Sequence, residues 1–187
     1  MKNQLIKIML GISAIPAFAH SMEKPLSVDL FVGATGLNKI ELLRSYIDKG
    51  VNLDAIDSFG NTALTTAAEY NNIVAARMLL ANGADVNAKN GFCDTALHVA
   101  ATRSNEEMVR LLLDAHASLS IASEGETPLI SAVRWCSALA IIEMLLEYGA
   151  DASITDNDGW SALKWADVLF KPKLISLLQS YRKKKLE

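Results

Sequence analysis

The chain is poor in the residue types that build chemical sites. It holds two cysteines, Cys93 and Cys136, and three histidines in 187 residues. Two thiols make neither a disulfide framework nor a four-sulfur zinc site. Four prolines and ten glycines exclude collagen-like and low-complexity sequence. Aromatics are scarce at 6%, so a group of them outside a core is informative. Basic charge is short as well: 18 Lys and Arg face 21 Asp and Glu, a formal net charge of −3. That balance argues against a nucleic-acid binder with a broad basic face. H-E-x-x-H, G-x-S-x-G, P-loop and G-x-G-x-x-G motifs are all missing. The expectation is no enzyme, with no catalytic residue, metal or cofactor. What is plentiful is apolar residues, 51% of the chain, enough for a folded core and too many for a disordered one.

The first twenty residues read as an address rather than a fold. Lys2 and Lys7 precede an apolar run over Ile8–Phe18, and Ala17-Phe18-Ala19 forms a small-x-small triplet before His20. This is the order of a secretory signal peptide. The run falls short of the ~20 residues a spanning helix needs, and no later stretch reaches that length. The expectation is a signal peptide over 1–19, cleavage before His20 and a periplasmic or secreted chain over 20–187 with no membrane span.

The remainder repeats. Asp57-Ser58-Phe59-Gly60-Asn61-Thr62-Ala63-Leu64 returns 33 residues later as Asn90-Gly91-Phe92-Cys93-Asp94-Thr95-Ala96-Leu97. Ala67-Ala68 returns as Ala100-Ala101, and Met78-Leu79-Leu80 as Leu111-Leu112-Leu113. A third copy begins Glu126-Thr127-Pro128-Leu129, one residue short before Thr127 and one long between its helices. A fourth begins at Asp156, and Asp29-Leu30-Phe31 marks a degenerate first. The units fall at about 25–56, 57–89, 90–121, 122–155 and 156–187. Each reads as a helix pair. Thr62 and Thr95 suit an N-cap, Pro128 a first helical position, and Gly83 and Gly149 the left-handed residue that ends a helix. His116 stands where glycine is favoured. One unit cannot bury its own apolar face, so stacking must supply the core.

Thr95-Ala96-Leu97-His98-Val99-Ala100 and Leu79-Leu80-Ala81-Asn82-Gly83-Ala84-Asp85-Val86-Asn87 resemble the signature segments of the ankyrin repeat. The resemblance implies an all-α solenoid of helix-turn-helix units with β-turn fingers. It implies a structural His98, bonded near the capping threonine, and a concave binding groove. The binding candidates at groove positions are Phe59, Glu69, Tyr70, Phe92, Asp94, Arg103, Arg134, Trp135 and Trp160. Tyr70, Phe92, Arg103, Arg134 and Trp135 are expected to dominate, because aromatics and arginine are enriched at hot spots. The expected partner is another protein and the expected state a monomer, with no nucleic acid bound. Alternatives are an accessory factor or inhibitor of an exported enzyme, acting by cofactor delivery or protection, and an effector acting on a host protein. Asp156-Asn157-Asp158-Gly159 reads as a turn rather than a calcium loop, lacking a glutamate at the twelfth position. Arg182-Lys183-Lys184-Lys185 reads as a solvated helix end. Cys93 and Cys136 are expected to stay unpaired, their Cα atoms about 15 Å apart from helix rise and spacing.

Overall fold

The computed structural model describes residues 28–135 and 138–184. The signal peptide and Cys136 therefore lie outside the described residues. Ten helices and no strand occur among those residues, and they follow one another as five pairs: α1 (28–36) and α2 (Ile40–Asp48), α3 (Ala63–Glu69) and α4 (Ile73–Ala81), α5 (Ala96–Thr102) and α6 (Glu106–Asp114), α7 (Pro128–Trp135) and α8 (Leu139–Glu147), α9 (Ala162–Val168) and α10 (Pro172–Lys184). The first helices of the second to fifth pairs stack side by side, and the second helices form another row. This is an all-α repeat solenoid.

Local chemistry explains each pair. Thr62 caps α3 in a reciprocal box with Thr65, satisfying two of the helix's orphan donors. Seven- to nine-residue helices such as these are marginal alone, so packing must hold them. Leu79, Leu112 and Leu145, each 33 residues from the last, are fully buried. Ala67-Ala68 and Ala100-Ala101 are too, which lets the first helices approach closely. In the first unit, Phe31 meets Tyr46 edge-on, 6.1 Å between centroids. The second helices end on left-handed residues: Gly50, Gly83, His116 and Gly149. His116 adopts φ +62° with a side chain that disfavours it.

The links between units also repeat. Asn72 precedes α4 and donates across the stack to the carbonyls of Thr35 and Gly36 at 2.8 and 2.9 Å. Asn105 precedes α6 and donates to Ala68 at 2.7 Å. Lys171, before α10, reaches Val133 at 2.8 Å. Each link adds a side-chain donor to carbonyls near the end of a first helix.

Candidate functional site

The fingers that precede the first helices are built on one side chain each. Asp57, Asn90 and Asp156 each accept two backbone N–H bonds, from residues two and four further on. This Asx geometry forms the turn expected at 156–159. The indole N–H of Trp165 also donates to Asp156, at 2.6 Å. Burial pushes the Asp156 carboxyl up. The bonds from Trp160, Trp165 and Asp158 and the nearby Arg134 outweigh it and hold the group below its ordinary range.

The fourth finger differs. It is one residue shorter, and Ser123 pairs with Glu126 across Glu124 (φ +49°) and Gly125 (φ +89°). Two consecutive left-handed residues make a two-residue type I′ hairpin. Asn157 lies against Gly125 and donates to the Glu124 carbonyl at 3.0 Å.

His98 joins the third and fourth units. Its Nδ1 accepts from the Thr95 backbone N–H at 3.3 Å and lies 2.8 Å from the Thr95 hydroxyl. The neutral ring therefore carries its proton on Nε2, which donates to the Glu126 carbonyl at 3.1 Å. Burial pulls its pKa down to about 4, reinforced by Lys89 and opposed chiefly by Asp94. His98 is a structural residue, as the family resemblance implied.

A cavity of about 700 Å³ opens on the side formed by the fingers and first helices, spanning the second to fourth units. Glu69, Phe92, Asp94, Arg103, Arg134 and Trp135 all line it, six of the nine candidates. Phe59, Tyr70, Phe92 and Trp135 are 75%, 62%, 58% and 65% exposed, far more than a core side chain allows. Arg103 pairs with Glu69 on the surface. Asp94 takes a 2.5 Å bond from Ser123 and so also serves the stack.

Arg134 is held from three sides. It pairs with Glu126, which also accepts from Ser131 at 3.1 Å, and its guanidinium lies 4.8 Å from the Trp135 ring and 4.1 Å from Trp165. Trp160 is half-buried and packs on Trp165 at 4.7 Å. Arg134 and Trp160 therefore support the wall of the groove, serving packing as well as the surface.

Three exposed residues escaped the sequence reading. Leu37 and Leu169 occupy the same helix-end position as Tyr70, Arg103 and Trp135, extending that ladder to all five units. Phe170 is 89% exposed at φ +52°, where the other units place Asn38, Asn71 and Ser104. A phenylalanine in place of asparagine at a helix-hairpin turn was readable from the repeat alignment. Among the described residues no group of His, Cys, Asp and Glu could hold a metal, and no helix is long and apolar enough to cross a membrane.

Stacked helix pairs, turn fingers and a groove lined by exposed aromatics define a repeat-type interaction module. Residues 30–74 and 64–113 match ankyrin repeats (many copies), and residues 90–156 match ankyrin repeats (3 copies). The chain belongs to the ankyrin repeat family. Comparison with the curated proteins gives no match. Ankyrin repeats are protein–protein interaction modules and are generally non-catalytic.

Proposed function

We propose that this chain is a non-catalytic adaptor that binds a protein partner through its concave groove, working outside the cytoplasm. One observation carries the reading: Phe92 and Trp135 expose large aromatic faces on the cavity, and Tyr70 exposes a third at the matching helix end of the second unit, while the core is filled by other residues. Apolar area held in water by a chain that can bury apolar side chains elsewhere marks an interaction surface. Phe59 and Phe170 add to it at the second finger and the last helix hairpin.

The test compares partner capture by the wild-type chain with that of Tyr70→Ala, Phe92→Ala and Trp135→Ala, with Arg77→Ala and Arg110→Ala on the opposite face as controls. Each groove change is expected to weaken binding roughly thirtyfold, about 2 kcal/mol, with folding retained. Capture unaffected by all three overturns the groove assignment. The extracytoplasmic setting rests on the charged, apolar, small-residue order of residues 1–19. Amino-terminal sequencing of native protein is expected to begin near His20, and retention of Met1 overturns it.

A further inference from the structure

The cavity carries more negative charge than its own residues neutralise. Glu69 and Glu126 each hold one arginine, Arg103 and Arg134. These pairs use both arginines that line the cavity. Asp94 and Glu124 line it too, without a cationic partner in either pair. Ser123 ties the two together: its hydroxyl bonds Asp94, and its neighbour along the chain is Glu124. Lys89, at the base of the third finger, is turned to the Ala122 carbonyl.

Glu124 also sits against its backbone preference. The first position of a type I′ turn favours Asn, Asp or Gly, because the residue is left-handed. The chain instead places an exposed glutamate there, at φ +49°. An asparagine would close the same hairpin with less strain. On the same cavity, Phe92 and Trp135 offer exposed ring faces, surfaces suited to the alkyl stem of a long cationic side chain.

We propose that this cavity receives a lysine or arginine side chain from an extended segment of the partner protein, its charge placed between Asp94 and Glu124 and its stem against Phe92 and Trp135. The proposal rests on the groove reading above and adds the chemistry of the occupant. Charge complementarity selects it: an acidic side chain entering here meets two uncancelled carboxylates, and an uncharged one leaves them uncompensated.

The experiment pans a phage-displayed random-peptide library on the whole chain, then measures synthetic versions of the enriched peptides by titration calorimetry. Enriched peptides are expected to share a Lys or Arg beside apolar residues. Replacing that residue by Glu is expected to abolish measurable binding. Glu124→Lys is expected to weaken binding about tenfold, and added salt to weaken the wild type more than the variant. Glu124→Asn is expected to raise the thermal midpoint while lowering affinity about fivefold, so lost binding is not lost folding. Peptides that bind through Trp135, as judged by Trp135→Ala, yet ignore Glu124→Lys and salt overturn the cationic occupant and leave the groove reading standing. Peptides indifferent to both variants, or no enrichment at all, overturn both.

Discussion

The third and fourth units share one plan and carry it out differently. In the third, Asn90 folds the finger, Asn105 stitches the helix hairpin to the unit before it, and Arg103 forms a surface ion pair. In the fourth, the finger tightens into a two-residue hairpin and Ala138, with no side-chain donor, replaces the stitching asparagine. There the arginine is enclosed by a glutamate and two tryptophans. The third unit's side chains keep the array in step. The fourth spends its departures from the pattern on the groove wall. In a repeat array, deviation from the consensus is where partner-specific chemistry has room to appear, because the regular positions are already committed to stacking.

The largest expected effect lies at the junction of the two units. The folded pKa of His98 is lowered to about 4, below the ordinary 6.5. Above pH 6.5 both folded and unfolded chains hold it neutral, and its contribution is complete. As pH falls, the unfolded chain takes up the proton first, so stability declines from pH 6.5 to about 4, by about 3 kcal/mol in total. His98→Thr imitates the second unit, where Thr65 fills this position in the capping box. Urea unfolding of the two proteins across that pH range is expected to diverge by that amount. Parallel curves refute the assignment of the acid loss to His98.

Next come the two finger glycines. A methyl at Gly125 would lie 2.4 Å from Asn157, whereas Gly159 has nothing within 4 Å, and both are left-handed. Gly125→Ala is expected to lower stability by about 2 kcal/mol and Gly159→Ala by about 1. Equal losses in calorimetry show that Asn157 moves aside freely.

The arginines come third. Arg134→Ala takes the cation from Glu126, whose side chain is only 14% exposed in the intact pair, which is expected to cost about 1–2 kcal/mol. Arg103→Ala breaks a pair whose arginine is 58% exposed, worth about 0.5 kcal/mol or less. Denaturation midpoints rank the two, and the reverse order contradicts the enclosed geometry. One small effect is a gain. Cys93 holds φ +66° where Gly60 and Gly159 stand in sister fingers, so Cys93→Gly is expected to stabilise by about 0.5–1 kcal/mol.

The fold was legible because repetition averages out weak local signals. Leu79 and Leu112 fall at matching places of a 33-residue offset that needs no helix assignment. The fourth finger was legible as a deletion but not as a hairpin, since a missing residue does not state which dihedral angles absorb it. Tyr70, Arg103 and Trp135 fell on one ladder as the offset required, yet the offset could not separate Arg103, on the surface, from the enclosed Arg134. That difference depends on Trp165 and Glu126, which reach Arg134 from the next helix pair and from the finger. For Phe170 the repeat offset shows the replacement of asparagine but not the exposure, which depends on the backbone turn that directs the ring into water.

The bond from His98 to the Glu126 carbonyl joins the third and fourth units beside the cavity, so the cavity straddles the seam between them. An occupant that touches Phe92 on one side and Trp135 on the other then acts as a splint. It is expected to hold the two units together and to slow amide exchange in α8 and α10, helices that do not line the cavity. The depth of that remote protection measures how far the array behaves as one body rather than as a row of hinged leaves.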